Sequence, residues 1–262
     1  MVPLPFPGSD LAHDAGVGLG VAAALAVFAA EARRRGVADD RLWAVVGCAL
    51  AFLALGARLG TWAQHADLAR NAGLLQWWID GNRSILSGLV GAWLGVHVGK
   101  RIVGYRARTG DLFAPAVALG MAIGRVGCLL TELPGAPTGA RWGMVLDAAA
   151  SGRLGGPRAG AVAGVGLHPS FAYEIAFHAV AFAVLWRLRD RLARPGDLFV
   201  LYVAGYAVFR FCVEFVRGNA VAWGGLTRPQ LFLAVTMPLL AWRVARLVRD
   251  ARGVGRVPEP VG

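Results

Sequence analysis

Apolar stretches of about 20 residues recur along this chain, and that is the length a helix needs to cross the hydrocarbon core of a bilayer. Seven candidates run over Gly16–Ala32, Leu42–Ala63, Ile85–Val103, Leu112–Leu130, Ser170–Leu188, Leu198–Val216 and Gln230–Val248. Lipid offers no partner for backbone N–H and C=O groups, so such stretches close their hydrogen bonds internally as helices. The fold expected is an all-α membrane protein with seven transmembrane helices. Composition agrees: 56% of the 262 residues are hydrophobic and 16% charged, against about 25% charged in soluble domains. Disorder is excluded and an ordinary water-soluble enzyme disfavoured. Residues 1–252 read as one polytopic membrane domain, and the Gly/Pro-containing residues 253–262 as a short flexible tail. Met1–Asp14 has no basic stretch, so no cleavable signal peptide is expected.

The net charge is +11, and Lys100 is the single lysine among 27 basic residues. The charges lie in short runs between apolar segments, which is the pattern of membrane loops and not of a nucleic-acid surface. One alternate set of loops carries 17 basic residues, among them Arg33–Arg35, Lys100, Arg101, Arg187–Arg194 and Arg243–Arg256; the other carries 7, among them Arg70, Arg83, Arg141, Arg217 and Arg228. The positive-inside rule then places the N-terminus outside and the C-terminus in the cytoplasm, which requires an odd number of spans. The longest connections fall outside. Gln64–Ser84 holds Trp77, Trp78 and an Asp80-Gly81-Asn82 turn, and Thr131–Leu167 is expected to be irregular. Asp111 and Asp197, each after a glycine, read as N-caps, and His168-Pro169-Ser170 as a helix start.

Ionisable residues within spans cost about 2.5–3.5 kcal/mol each on insertion scales and call for a partner or a task. Arg58, Arg125, Arg210 and Glu214 are such residues, and Arg210 and Glu214 share a helix face at i, i+4. Salt bridging and snorkelling would account for Arg58 near a helix end. Two arginines at depth, Arg125 and Arg210, exceed what Glu214 alone neutralises, so an anion completes the balance. Arginine binds phosphate in a bidentate fork, which makes a phospholipid headgroup the natural candidate. Glycines beside Arg58 and Arg125 allow close backbone approach. His168, Tyr173 and Glu174 open the fifth span; His168 reads either as a proton shuttle or as part of a helix start, and Glu174 as a ligand-orienting or interfacial carboxylate. His97 and His178 read as packing histidines, His13 and His65 as surface residues. Cys128, one turn after Arg125, reads first as a buried inert cysteine and second as lining the same cavity. Cys48, Cys128 and Cys212 show no CxxC spacing, so the sequence supports neither a zinc site nor a disulfide framework. No metal and no cofactor are expected.

With these residues in view, the chain resembles the prolipoprotein diacylglyceryl transferase family. Gly56-Ala57-Arg58-Leu59-Gly60 is similar to a G-G-R-L-G stretch of the second span, and Asp111–Pro115 to the opening of the fourth. Gly124-Arg125-Val126-Gly127 matches the start of the family signature, and Trp142–Val145 the loop after it. His168-Pro169-Ser170 with Tyr173-Glu174 matches H-P-S-x-x-Y-E, and Gly205-Tyr206, Phe209-Arg210, Val213-Glu214-Phe215 and Arg217 match the sixth span. The resemblance implies transfer of the diacylglyceryl group of phosphatidylglycerol to the lipobox cysteine thiol of a bacterial prolipoprotein, with release of glycerol phosphate. It also implies a place in the bacterial cytoplasmic (inner) membrane. By motif, Arg125 would bind the headgroup, with Arg58, Tyr173, Glu174 and Tyr206 as further substrate-binding residues. Arg210 and Glu214 would bind or activate substrates, and Glu132 and Gly135 belong to the loop after the signature.

Several family positions differ. The signature continues G-R-x-G-N-F-x-N-G-E in the family, but here Cys128 stands at the first asparagine, Thr131 near the second, and the loop is one residue short. Ser87 replaces a histidine that is a candidate for proton transfer, and Val17-Gly18 occupies the region of a first-span tyrosine. A base would then be His168 or Glu214. The alternative reading is a silent or redirected family member that binds anionic phospholipid without transferring it. A retinal protein is excluded, because Lys100 is not in the last span. A transporter is disfavoured by the lack of internal repeats.

Overall fold

A computed structural model describes residues 9–64, 84–140, 142–146, 164–192 and 194–254. The expected tryptophan pair and turn at 77–82, Arg141, His65 and the tail beyond 254 lie outside these residues. Seven helices occur among the described residues: α1 (Ser9–Arg34), α2 (Asp40–Gln64), α3 (Ile85–Val103), α4 (Gly110–Thr131), α5 (Ser170–Leu188), α6 (Asp197–Arg217) and α7 (Arg228–Val254). Six of them, all but α3, are long and apolar enough to cross a membrane. The chain is thus a mostly helical, multi-pass membrane protein. α3, 19 residues long, carries His97, Lys100 and Arg101 in its C-terminal half. Two short antiparallel pairs also occur among the described residues: β1 (Met144–Val145) with β2 (Gly166–Leu167), and β3 (Val221–Trp223) with β4 (Leu226–Thr227). The first pair lies in the connection expected to be irregular, where two-residue strands leave no periodic signal. Buried Leu146 and Leu167 form a small core beside it.

The chain divides into two compact units, residues 32–107 and residues 1–31 with 108–262. In the unit 32–107, α2 and α3 form an antiparallel hairpin. α3 presents Gly88, Gly91, Gly95 and Gly99 to α2; a Cβ on Gly95 would meet the Cys48 carbonyl at 2.5 Å, and one on Gly99 the Val45 Cα at 3.1 Å. Small residues at this spacing let two helix backbones touch, which drives association where lipid supplies no hydrophobic force. Asp39 caps α2 by accepting the Leu42 N–H at 2.7 Å. Arg58 sits half-buried on α2 in this unit.

In the other unit, α1 and α4 cross through glycine on both sides. A Cβ on Gly20 would lie 2.5 Å from the Gly120 carbonyl, and one on Gly16 2.8 Å from the Gly127 Cα. The glycines flanking Arg125 therefore allow the close approach that the sequence suggests. α4, α5 and α6 pack around Ala114, Ala118, Leu185, Leu198 and Tyr202. Asp111 does not cap its own helix. Thr109 takes that position for α4, and the Asp111 carboxylate instead accepts the N–H groups of Gly196 (2.8 Å) and Leu198 (3.1 Å) at the start of α6. Gly196, with φ of 100°, takes the N-cap position of α6 that the sequence assigns to Asp197. Pro169 takes the N-cap position of α5. The outward surface is apolar: Val235 is 80% exposed and Phe215 60%, while Glu174 and Glu214 are buried. Apolar side chains outside and ionised ones inside is the distribution that a lipid solvent selects.

Candidate active site

Three helices each contribute to one buried chain of charges. α4 carries Arg125, α5 carries Glu174, and α6 carries Arg210, Glu214 and Arg217. On α6 the spacing of four and three residues stacks its three ionised groups on one face. The Glu174 carboxylate bridges two helices: Arg125 Nη2 stands 2.6 Å from Oε2, and Arg217 Nη1 donates to Oε1 at 2.5 Å. Arg217 Nε lies 3.9 Å from Glu214 Oε2, and Glu214 accepts from Arg210. The sequence Arg125–Glu174–Arg217–Glu214–Arg210 is therefore continuous. Arg125, Arg210 and Glu214 are buried, Glu174 fully so, and Arg217 is 14% exposed.

Neutral groups fix this chain in place. Glu214 Oε1 accepts from Asn219 Nδ2 at 2.6 Å and from Thr227 Oγ1 at 2.9 Å. Gln230 accepts from Thr227 N at 3.0 Å and donates to the Phe211 carbonyl at 3.2 Å, tying the start of α7 to α6. The Phe171 ring lies under Arg217 at 4.7 Å and near Arg125 at 5.8 Å. Below the chain, one turn from Glu174, His178 pairs through Nδ1 with the Tyr202 hydroxyl at 3.2 Å and packs against the Tyr206 ring at 4.8 Å. Arg125 Nε, Arg217 Nε and the Tyr206 hydroxyl are buried without a hydrogen-bond partner among the described residues. Glu174 Oε2 and His178 Nε2 share that condition; buried polar groups ordinarily find partners, so the unfilled donors among them suit a ligand with acceptor oxygens.

The charge count agrees. Three guanidiniums face two carboxylates, which leaves one positive charge among the described members of the cluster. The sequence anticipates the surplus but misassigns its parts. Glu174 is a central bridge and not an interfacial residue. Arg217, counted with the external loops, is a member of the cluster.

The other candidates occupy two neighbouring places. His168 Nδ1 pairs with the Tyr173 hydroxyl at 3.2 Å, and the Trp142 ring stands edge-on to His168 at 5.1 Å. Gly135 links this pair to α6: its N–H donates to the His168 carbonyl at 2.8 Å, and the next N–H, of Ala136, donates to the Val216 carbonyl at 2.7 Å. A Cβ on Gly135 would lie 2.1 Å from the Val216 carbonyl oxygen and 3.0 Å from the His168 oxygen, so the crossing requires bare backbone. Glu132 lies beside His13 instead, at 3.7 Å. His13 is thus partnered and only 28% exposed, not a free surface residue. Arg58 belongs to the other unit. Sequence reasoning quoted Arg217 in the sixth-span match and read His178 as a packing residue without giving either a place in the site, and it passed over Asn219, Thr227 and Tyr202. Only Arg217 and His178 carry a local signal, at i+3 from Glu214 and i+4 from Glu174.

A family model described as prolipoprotein diacylglyceryl transferase matches residues 15–246. A phosphatidylglycerol–prolipoprotein diacylglyceryl transferase of Chromohalobacter salexigens is 35% identical over 242 residues, covering 85% of this chain and 84% of the relative. The protein of that name in Pseudomonas putida is 33% identical over 79% of this chain and 75% of its own length. The one in Mycobacteroides abscessus is 37% identical over 55% of this chain and 43% of its own length.

Proposed function

The chain belongs to the prolipoprotein diacylglyceryl transferase family, and from that premise we propose how its buried ion chain carries out the transfer. Its activity is transfer of a diacylglyceryl group from phosphatidylglycerol to a prolipoprotein. The names of its relatives favour this over a silent phospholipid-binding protein. The single observation that carries the site assignment is the surplus positive charge on Arg125, Arg210 and Arg217, in a place too buried for water to screen it.

In this reading Arg125 takes the phosphodiester of phosphatidylglycerol, with its unpartnered Nε and the Tyr206 hydroxyl as further donors. Arg210 and Glu214 complete the substrate site. The incoming cysteine loses its proton to a base, His168 or Glu214, because the thiolate is the nucleophile. Sulfur then bonds to the terminal glyceryl carbon, the carbon–oxygen bond to phosphate breaks, and glycerol phosphate leaves with the electron pair. Fixed guanidiniums stabilise the charge that develops on that phosphate. Glu174 positions Arg125 and Arg217. Gly135 positions His168 and Tyr173, Glu132 lies at the loop entrance, and Arg58 supports lipid binding from its own helix.

We further read seven spans, with α3 crossing as the partner of α2, the N-terminus outside and the C-terminus cytoplasmic. Residues 1–252 act as one membrane domain of the bacterial inner membrane, and the protein partner is a signal peptide bearing a lipobox cysteine. The test is a transfer assay in detergent containing phosphatidylglycerol, with a lipobox peptide and Arg125→Ala as control. Glycerol phosphate release together with a lipid-sized mass gain on the peptide cysteine, both dependent on Arg125, is expected. Phospholipid binding without either product would overturn the reading in favour of the silent binder.

A further inference from the structure

One cluster of chemically reactive side chains lies outside the ion chain. His13 on α1, Cys128 on α4 and Glu132 at the end of α4 bring a ring nitrogen, a sulfur and a carboxylate oxygen within 4.8 Å of one another. Nothing in the sequence spacing joins His13 to the other two. The glycine crossing of α1 and α4 does, because Gly16 and Gly127 hold those helices at backbone contact next to His13. His13 Nδ1 stands 3.7 Å from Glu132 Oε1. In a tetrahedral zinc complex, with metal–ligand lengths of about 2.0–2.3 Å, donor atoms lie roughly 3.3–3.8 Å apart. The His13–Glu132 distance falls in that range, and all three donors lie within 4.8 Å of one another. Thr131, 3.4 Å from the same His13 nitrogen, anchors its hydroxyl on the Gly127 carbonyl at 2.8 Å.

We propose that His13 Nδ1, Cys128 Sγ and Glu132 Oε1 form a binding site for a divalent zinc-type cation whose fourth position accepts the substrate thiol. Nitrogen, sulfur and oxygen donors in a set of three are the pattern of zinc sites that keep an open coordination position. A thiolate and a carboxylate cancel the two charges of the ion, so the adjacent Arg125 faces a neutral complex. Cys128 is buried, whereas Glu132 is 42% exposed, which leaves an open side. The location matches the chemistry, since Arg125 Nη1 lies 3.7 Å from Cys128 Sγ. A thiol bound to the ion would stand next to the arginine assigned to the phosphate.

This rests on the transferase reading and adds to it a means of activating the nucleophile. A thiol that coordinates zinc is held as thiolate. The ion, held by His13, Cys128 and Glu132, would stabilise the substrate sulfur as thiolate, and the thiol proton would pass to the solvent water displaced from the open position. The sulfur then bonds to the glyceryl carbon, the carbon–oxygen bond breaks, and its electron pair departs with glycerol phosphate. No net redox change occurs.

The test is cobalt(II) titration of the full-length, metal-free protein in detergent. We expect about one equivalent to bind, with a thiolate-to-cobalt charge-transfer band in the near ultraviolet that zinc displaces. Cys128→Ser removes that band. Glu132→Gln, which keeps side-chain shape, weakens binding by more than about tenfold, since even outer-shell partners are worth that much. No band in the wild type, or a band that persists in Cys128→Ser and so belongs to Cys48 or Cys212, overturns the site. Transfer is measured on the same samples. Transfer that falls on chelation and returns with zinc supports thiol activation. Transfer indifferent to chelation, in protein that shows the Cys128 band, overturns that role and leaves the transferase standing. The band without any transfer supports the metal site and counts against the transferase reading alone.

Discussion

Glu174→Gln tests whether the ion chain is one electrostatic unit. The substitution keeps the shape of the side chain and removes a single charge. Glu174 is fully buried and touches Arg125 at 2.6 Å and Arg217 at 2.5 Å. With it neutral, three guanidiniums face Glu214 alone. Removing one partner of a buried pair costs about 3–5 kcal/mol, because the other charge stays desolvated. For a chain of this size each kcal/mol moves the melting temperature by about 2–4 °C. A fall of roughly 6–20 °C is expected on that slope. Thermal unfolding in detergent, with and without phosphatidylglycerol, measures it. The lipid should recover part of the loss, since an anion then neutralises an enlarged surplus. If about 3 kcal/mol of the lost energy also held Arg125 against the phosphate in the transition state, kcat/KM falls about 100-fold. A melting temperature within about 2 °C of the wild type would mean that less than 1 kcal/mol rides on the bridge, and the unit would not exist. Loss of stability without recovery by lipid would leave a structural lattice and no anion site.

Three further outcomes follow from the packing. Gly18→Ala and Gly20→Ala form a matched pair on α1. A Cβ at 18 meets nothing within 4 Å and should stabilise the helix by up to about 1 kcal/mol, whereas at 20 it would strike the Gly120 carbonyl at 2.5 Å and should lower the melting temperature in the same thermal assay. Asp111→Ala removes the acceptor of two α6 N–H groups and should cost about 0.5–2 kcal/mol of stability in that assay, the range for a lost cap. Gly135→Ala forces the loop away from the Val216 carbonyl of α6, 2.1 Å from where the Cβ would stand, and with it from the His168 carbonyl at 3.0 Å. Transfer should therefore fall by more than the melting temperature suggests, and equal, small effects on both would place Gly135 outside the machinery.

What the sequence reveals is what can be read within one helix. Hydropathy locates the seven helices, and the i, i+4 spacing of Arg210 and Glu214 places both on one face. The glycines beside Arg125 announce a close crossing without naming the partner helix. What escapes is anything made across helices. Asp111 looks like a cap for its own helix and caps α6, because side-chain acceptors serve whichever N–H groups come within reach. Arg217 looks like a loop charge at the end of an apolar run, but the last turn of α6 points it at Glu174 on α5. Asn219 and Thr227 reach Glu214 through the β3–β4 hairpin, whose two- and three-residue strands leave no periodic trace.

The surplus charge separates a catalytic site from a structural lattice. A lattice that served only to hold α4, α5 and α6 together would close its own charge, since each uncompensated guanidinium in a dry interior raises the desolvation cost. Among the described residues three guanidiniums share two carboxylates, and the donors left without a hydrogen bond are Arg125 Nε, Arg217 Nε and the Tyr206 hydroxyl. A phosphodiester carries one negative charge and closes the balance in the ground state. As the carbon–oxygen bond breaks, the phosphate moves toward a monoester with a charge of about −1.5 to −2 at neutral pH. In the proposed reading the same guanidiniums then attract the transition state more strongly than the substrate, which is the condition for an interaction to raise the rate as well as the affinity. A cluster balanced to neutrality would bind the lipid less well and gain less from its departure.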